Sequence, residues 1–569
     1  MGCALRLKPI ESQEINQWNS VGSAGWSFVL FSPTSLGKLV PSQNVYTGAT
    51  IESHTNQSDK QSGGVESAAD RGNSLLVAKE GVLGLFVSIA GLALSFLSIR
   101  WIIALGGEPL YGGFAFGLSL VATITPIATL GLAPAMSRFL PVYMRKGDLD
   151  GVHTILFTTW VLGCIATSFF GLMIWMSAEW VAHSVFSRPE AVPLVRATGF
   201  LLVPSTLCGL VRGYASGMKR PSLGGVVSQI ALRIGLLIAL ASIVLLGGLS
   251  SEELLWGYGW ACWAVLVMSL IAGRRIRSLR VPKGGRLRSD VTREYLKFSL
   301  ILIGVTVVEG LHRQVDNLLI AKFLGLTEVG TYTVASRLTD ISMVAVIAFM
   351  SISSPLFSEL KHAGSEDEYQ SLSVTIFRWL HLVGLPLVLC GVWFPEFTIG
   401  LLGVTTPEGS GALQILLVSR VAAITSLMSA HMLFSSGYER LGLGLSVASV
   451  LMNLGLDTWL IPQYGIEGAA FGTLVTVCFS GLIRMIAIRK CLGFLPFDFR
   501  GIQAVLLTAG LLCASGAFFR IVVDGWIGFL GCAALNCVVV AGIVLGFRMD
   551  DDQMIIDRVR RKFLPRRFR

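Results

Sequence analysis

Charge is scarce in this sequence. Only 14% of its 569 residues are Asp, Glu, Lys or Arg, whereas 53% are apolar, and the mean hydropathy is +0.68. A soluble protein carries roughly a quarter charged residues on its surface, so a soluble fold is excluded. A GxxxxGK[ST] phosphate loop is also absent, which excludes ATP hydrolysis by that route. The ten cysteines form no CxxC pair and no Cys/His cluster. They are typical of small packing residues, and no metal or other cofactor is expected.

Apolar residues instead form about fourteen runs, each long enough to cross a hydrocarbon core, which takes roughly 20 residues. Barrel strands are about 10 residues long and alternate in polarity, so a barrel does not fit. The sequence predicts an all-α polytopic membrane helix bundle of about 14 transmembrane helices. The predicted spans are near 82–105, 111–133, 152–176, 191–211, 223–246, 253–273, 296–321, 329–355, 376–395, 411–436, 441–461, 466–488, 501–520 and 526–547.

The Lys and Arg residues between the spans fall almost entirely on alternate loops. They lie on the second, fourth, sixth, eighth, tenth and twelfth loops and on the C-terminal tail. The remaining loops between the spans, with their immediate flanks, hold only Arg188, Lys322 and Arg520. Because cytoplasmic loops retain positive charge, this asymmetry predicts a multi-pass protein of the plasma (inner) membrane with both termini in the cytoplasm. The net charge of +10 is then a signal of topology, and no nucleic-acid partner is expected.

Composition divides the chain into six segments. They are a disordered cytoplasmic tail (1–75), an N-terminal six-helix lobe (76–273), a basic cytoplasmic linker (274–295), a C-terminal six-helix lobe (296–490), an additional helix pair (491–547) and a basic cytoplasmic tail (548–569). The linker can equally be a stop-transfer charge cluster that contacts anionic lipid head groups. Similar turns, Leu105–Gly112 and Leu324–Gly330, follow the first and seventh spans. They suggest that the lobes are structural repeats, with chance similarity as the alternative.

Several motifs carry a resemblance to a known family. They read LGGEPLYGGFAFG (105–117), LGLAPAMSR (130–138), RKGD (145–148), RGY (212–214) followed by KR (219–220), DNLLIAKFLG (316–325), VGTYTVASR (329–337) and LIPQYGIEGAA (460–470). In this order and spacing the chain resembles the polysaccharide-transporter branch, the Wzx-like flippases, of the multidrug/oligosaccharidyl-lipid/polysaccharide exporter superfamily. The family does not need the long N-terminal tail.

The resemblance implies two lobes around a central cavity that opens alternately to each side of the membrane. It implies a polyprenyl-diphosphate-linked oligosaccharide as cargo, for O-antigen, exopolysaccharide or capsule synthesis. The expected partners are the lipid-linked glycan and membrane lipids, with a polysaccharide polymerase and chain-length machinery as further candidates. No enzymatic activity is expected.

Charged side chains inside a span are costly, so they are candidate functional residues. The candidate cavity residues in the seventh and eighth spans are Glu309, His312, Arg313, Asp316, Arg337 and Asp340. In an antiparallel hairpin, Asp316 would lie at the depth of Arg337, and Arg313 at the depth of Asp340. The two predicted pairs form either a ladder that only holds the lobe together or a cavity wall that opens during transport.

Two further arginines lie in mid-span without an acidic residue within one turn of their own helix, Arg233 and Arg420. A guanidinium group can bind the oxygens of a lipid diphosphate in a forked geometry. The alternatives are hydration or pairing with Glu309 or Asp457. His312, His381 and His431 are candidate proton relays, although such histidines are more often packing residues.

Other functions also fit a membrane bundle. A transporter of different cargo in the same superfamily, either a peptidoglycan-precursor flippase or a drug/cation antiporter, would share this architecture. An integral-membrane glycan polymerase or ligase is disfavoured because such enzymes place catalytic residues on a sizeable external loop, and the predicted external loops are short.

Overall fold

The computed structural model describes residues 59–275, 285–363, 366–523 and 525–546. Within these ranges the secondary structure is helical, as expected for an all-α fold. The helices are α1 (Asp59–Ala128), α2 (Leu132–Lys146), α3 (Leu149–Met176), α4 (Ala178–Trp180), α5 (Val192–Gly217), α6 (Pro221–Gly225), α7 (Leu232–Leu245), α8 (Ser251–Arg275), α9 (Ser289–Phe323), α10 (Leu326–Ala363), α11 (Glu366–Trp393), α12 (Pro395–Gly400), α13 (Pro407–Ser435), α14 (Glu439–Leu492), α15 (Phe499–Val522) and α16 (Gly525–Gly546).

Eleven helices in the described ranges are long and apolar enough to cross a membrane. Two of them are interrupted by a glycine with positive φ, α1 at Gly107 (φ 71°) and α14 at Gly465 (φ 61°). A side chain rarely adopts this conformation, so glycine suits both breaks. Each of these helices covers two predicted spans, and α10 covers the eighth. The membrane helix bundle is therefore confirmed, while the count of fourteen spans stays a prediction.

The first helix begins earlier than composition suggested. Residues 59–75, which were assigned to the disordered tail, form the start of α1. A helix extends at low cost once its apolar part is formed, and this stretch contains no proline to stop it. The rest of the predicted tail, residues 1–58, lies outside the described residues, as do most of the predicted linker and the C-terminal tail.

Small residues bring several helices into close contact. A Cβ atom added to Gly171 in α3 would lie 2.8 Å from the carbonyl oxygen of Gly199 in α5, and one added to Gly199 would lie 2.7 Å from that of Gly171. Such reciprocal approach is typical of helices packed in membranes, where small side chains let backbones meet.

Helix α9 connects different parts of the bundle. Near its start, Tyr295 donates a hydrogen bond of 3.0 Å to the carbonyl oxygen of Leu132, and the Ser299 hydroxyl donates to that of Leu130. Near its end, the Asp316 carboxylate accepts a hydrogen bond from Asn453 of α14. Helix α9 therefore makes polar contacts with the first half of the chain near its start and with α14 of the second half near Asp316.

Candidate functional site

The two interhelical ion pairs predicted from matched depth are not formed. Arg337 Nη1 instead lies 3.5 Å from Asp340 Oδ2, one turn away on the same helix. Arg313 Nη2 lies 3.9 Å from Glu309 Oε2, also on its own helix. The depth argument was wrong because it assumed that α9 and α10 pack against each other along their length. Helix α9 packs mainly on α1 and α14, whereas α10 packs mainly on α1 and α13.

Arg420 on α13 has a partner that the sequence did not suggest. Its Nε donates a hydrogen bond of 2.8 Å to Thr339 Oγ1, and its Nη2 lies 3.6 Å from Asp340 Oδ1. Asp340 therefore lies between two guanidinium groups, those of Arg337 and Arg420. One carboxylate facing two arginines leaves a net positive charge at this point.

Arg233 differs from Arg420. It is half-buried, and within the described ranges no acidic side chain lies within ion-pair distance of it. It lies in electrostatic range of two buried phenol groups, those of Tyr111 and Tyr258. The π-helical segment Val226–Ala231 ends two residues before it. Such segments are frequent at functional sites because the wider turn frees backbone groups and redirects side chains. Arg233 stays a candidate anion ligand.

The charged residues of α9 are exposed although they lie in the middle of a long apolar helix. The side chains of Glu309 and Arg313 are 61% and 74% exposed. His312 is exposed as well. It lies in electrostatic range of the Asp316 carboxylate and of three guanidinium groups, those of Arg313, Arg420 and Arg484. Inside a membrane, charged side chains face a water-filled cavity rather than lipid. We call Glu309, Arg313, Arg337, Asp340 and Arg420 the cationic group, since three arginines outnumber two carboxylates.

Asp316 belongs to a different arrangement, which we call the acid cluster. Its members are Asp316, Tyr332, Asn453, Asp457 and Thr473. Asn453 Nδ2 donates hydrogen bonds to both carboxyl groups, at 2.8 Å to Asp316 Oδ1 and 2.9 Å to Asp457 Oδ2. Asp316 Oδ2 also accepts hydrogen bonds from Tyr332 (2.5 Å) and Thr473 (2.9 Å).

The two carboxyl groups of the acid cluster are bridged by the single amide nitrogen of Asn453. Asp457 is fully buried, and its Oδ1 has no hydrogen-bond partner. Two adjacent carboxylates in a buried site require a proton or a cation between them. The surrounding ligand atoms are oxygens, which suit a hard cation such as Na⁺. In the described residues no group of three or more His, Cys, Asp or Glu side chains could hold a metal ion.

Sequence reasoning selected Asp316 but gave it the wrong partners. The signal that could have found the others is the spacing of Asn453 and Asp457. These polar residues lie one helical turn apart in the middle of an apolar span, where such side chains face a common interior site. Of the three candidate proton relays, His381 is a packing residue. It is buried, and its ring nitrogens lie 2.8 Å from the Phe377 carbonyl oxygen and 3.1 Å from Thr425 Oγ1.

The two similar turns found in the sequence meet each other in space. A Cβ atom added to Gly112 would lie 1.8 Å from the carbonyl oxygen of Leu326. One added to Gly330 would lie 2.6 Å from the carbonyl oxygen of Glu108. We call this contact between residues 108–112 and 326–331 the glycine seam. Only glycine allows the two backbones to approach so closely.

Polar contacts close the glycine seam at its rim. The Thr331 hydroxyl donates a hydrogen bond to Glu108. Arg188 donates from Nε to the Ala321 carbonyl oxygen at 3.0 Å and from Nη2 to that of Leu324 at 2.5 Å. These are free carbonyl groups at the C-terminal end of α9, where a cation also interacts favourably with the helix dipole. The first half of the chain is thus fastened to the second.

Four consecutive residues at the start of α10 connect the glycine seam to the acid cluster. Gly330 and Thr331 belong to the seam, and Tyr332 donates to Asp316. Thr333 donates a hydrogen bond of 3.3 Å to Asn317, which in turn donates one of 3.0 Å to Ser119 of α1. A rearrangement at the glycine seam must therefore move residues that contact the acid cluster, and a rearrangement at the acid cluster must move residues of the seam.

Comparison with known proteins gives two family matches. Residues 87–361 match the family described as polysaccharide biosynthesis protein, and residues 302–459 match the MatE family. A succinoglycan biosynthesis transport protein, ExoT, of Rhizobium meliloti is 24% identical over 50% of this chain and 53% of its own length. A probable low-salt glycan biosynthesis flippase, Agl15, of Haloferax volcanii is 25% identical over 48% of this chain and 56% of its own. The chain thus spans about half the length of these two relatives.

A longer match joins the chain to an uncharacterized membrane protein of Methanocaldococcus jannaschii. The two are 24% identical over 67% of this chain and 91% of that protein. Two solved structures share the fold. An inward-facing multidrug resistance MATE family transporter has a TM-score of 0.62 at 13% identity, over 73% of this chain and 98% of its own. The lipid II flippase MurJ has 0.61 at 13% identity, over 81% and 99%.

Proposed function

We propose that this chain, which belongs to the polysaccharide-transporter branch of the multidrug/oligosaccharidyl-lipid/polysaccharide exporter superfamily, carries a polyprenyl-diphosphate-linked oligosaccharide across the plasma membrane. The observation that carries the proposal is the surplus of arginine in the cationic group. A cavity wall with net positive charge suits an anionic diphosphate, which arginine can bind with paired hydrogen bonds. The names of ExoT and Agl15 support a glycan as the rest of the cargo.

The acid cluster supports an ion-driven mechanism. In this proposal a proton or Na⁺ binds between Asp316 and Asp457, and its release accompanies the change of access. The chain has no phosphate loop, so an ion gradient is the consistent energy source. We place the glycine seam on the external side, because the loop charges assign both termini to the cytoplasm. The present state is then closed to the outside.

The six-segment division remains part of this proposal, except that residues 59–75 belong to α1, and its two lobes rock about the fixed site. A peptidoglycan-precursor flippase is the second candidate, because the fold of MurJ aligns over nearly all of that protein. The name of MurJ describes its cargo as lipid II, which is also a lipid-linked molecule in this second candidate function. A non-enzymatic role follows from both candidates, and a polysaccharide polymerase and chain-length machinery are the proposed neighbours.

Deletion of the gene tests the function directly. We expect the strain to accumulate its lipid-linked glycan on the cytoplasmic side and to lose the exported polysaccharide. The intact gene should restore export. Undiminished export in the deletion strain would contradict the flippase, and loss of cell-wall precursor transport instead would favour the second candidate.

Two arginine variants test the binding of the diphosphate. We expect Arg233→Ala or Arg420→Ala to abolish glycan export while the protein still inserts in the membrane, because each removes a candidate ligand of the diphosphate. Arg233→Lys should retain part of the activity, since lysine keeps the charge and loses the forked geometry. Export is measured as surface polysaccharide and protein level by immunoblot. A surface variant, Arg489→Gln, is the matched control. Normal export from both alanine variants would exclude these residues as phosphate ligands.

A further inference from the structure

Arg484 on α14 is a buried cation that the transport mechanism above does not use. Only 8% of it is exposed. Its guanidinium is surrounded by three hydroxyl groups, which we call the serine cage: Ser426, Ser446 and Ser480. Nη1 donates hydrogen bonds to Ser426 and, at 2.6 Å, to Ser480. Nη2 donates one of 3.1 Å to Ser446.

Negative charge is missing from this environment. Within the described ranges, the hydrogen-bond partners of its guanidinium are the three hydroxyl groups, and no carboxylate oxygen lies within ion-pair distance of it. A buried guanidinium is normally compensated by an acidic partner, because neutral hydroxyl groups do not replace the hydration of a full charge. The three arginines of the cationic group each lie within 4 Å of a carboxylate oxygen of Glu309 or Asp340. Arg484 differs from these three.

Hydrogen-bond donors are also in excess. The Nε of Arg484 is buried and has no acceptor among the described residues. Ser426 and Ser480 each accept from Nη1 and lie 3.0 Å from each other. Each hydroxyl has a single hydrogen, so only one of the two can donate to the other. The remaining hydroxyl has a hydrogen to offer. Ser446 uses its hydrogen on the Gly442 carbonyl oxygen.

We propose that Arg484 and the serine cage form a binding site for a compact inorganic anion, a halide or a phosphate. The anion would accept the Nε–H of Arg484, which has no acceptor among the described residues, and it would supply the missing charge. The hydroxyl groups can rotate from accepting to donating, so the cage can serve the bound anion without moving the helices. The site involves α13 and both halves of α14, and its occupation would stabilise their packing.

Anion-dependent thermal stability tests the site. The full-length protein is purified in sodium gluconate and titrated at constant ionic strength with sodium chloride, sodium phosphate or sodium pyrophosphate. We expect a saturable rise in Tm of about 2–4 °C with chloride or phosphate, because a ligand that binds the folded state shifts unfolding by mass action. General salt effects grow without saturating, so saturation separates specific binding from them. A response to pyrophosphate alone would assign the site to a diphosphate group of a larger ligand.

Substitutions at Arg484 and Ser480 test whether the rise in Tm comes from anion binding at the serine cage. Arg484→Gln should remove the saturable rise, and Ser480→Ala should weaken apparent anion affinity about tenfold through the loss of one hydrogen bond to a charged group. Arg489→Gln is the control, since this arginine is exposed on the same helix and donates to the Gly493 carbonyl oxygen. If Arg484→Gln does not fold, the wild-type titration and Ser480→Ala still decide. A wild-type Tm that shows no saturable response to chloride or phosphate, whatever its response to pyrophosphate, or an unchanged response in Ser480→Ala and Arg484→Gln, overturns the proposal.

Discussion

Replacing Asp457 or Asp316 by asparagine is expected to lower glycan export about 100-fold, near the upper end of the coupling between two ligands in a transporter. Asparagine keeps the size of the side chain and much of its hydrogen bonding, but it neither carries the negative charge nor exchanges a proton. The acid cluster would then no longer bind its ion. Export is measured in the complemented deletion strain and normalised to protein level.

The control for these variants is Glu396→Gln. Glu396 forms an exposed ion pair with Arg520, far along the chain from the acid cluster. Surface pairs of this kind contribute little to stability, so export should stay normal. Sealed vesicles then identify the ion, because the wild type should respond to a Na⁺ gradient or to a pH gradient and Asp457→Asn to neither. Full export by Asp457→Asn and Asp316→Asn would exclude the acid cluster as the coupling site.

Adding one methyl group to the glycine seam should block transport. A Cβ atom at Gly112 would lie 1.8 Å from the Leu326 carbonyl oxygen, so Gly112→Ala cannot close the seam without separating the two backbones. We expect export to fall at least about tenfold, because a shift of 1.4 kcal/mol in the closing equilibrium already gives that factor. Surface polysaccharide is measured as before.

Accessibility distinguishes a seam that cannot close from a protein that is merely unstable. Thr331 is buried in the seam. We expect Thr331→Cys to react with a membrane-impermeant thiol reagent faster in the Gly112→Ala background than alone, with the label located by mass spectrometry. The control is Gly510→Ala, since a Cβ atom there meets no heavy atom within 4 Å. Equal labelling in both backgrounds together with normal export would show that the seam does not gate the cavity.

The helices and the family resemblance could be predicted from the sequence. Hydropathy located the membrane segments, because burial in lipid demands long uninterrupted apolar runs. The breaks at Gly107 and Gly465 fall between predicted spans, as expected for glycine-containing turns. The resemblance drawn from short motifs is confirmed by the family matches. The start of α1 at Asp59 was missed, because polar composition cannot show that a neighbouring helix extends into it.

The site could be predicted only in part. Charge inside a span selected Asp316 and Asp340 as candidate residues, and this selection stays a prediction. Their partners lie elsewhere, because Asn453 and Arg420 come from helices far along the chain. Spacing within one helix predicts which of its side chains share a face. Which face of another helix packs against them depends on how the helices cross. The serine cage was missed for the same reason, since single serines in apolar spans are common.

The four residues from Gly330 to Thr333 have a thermodynamic consequence. If closing the glycine seam changes the affinity of the acid cluster for its ion, the ion must change the closing equilibrium by the same factor. A Glu108→Gln variant, which weakens the seam without touching the cluster, should then alter the ion concentration needed for half-maximal export. The glycine seam and the acid cluster, which have no ligand in common, would then be linked by the same coupling free energy. The closure of the glycine seam and the affinity of the acid cluster for its ion thus share one coupling free energy. That free energy can be measured from the closing equilibrium or from ion binding.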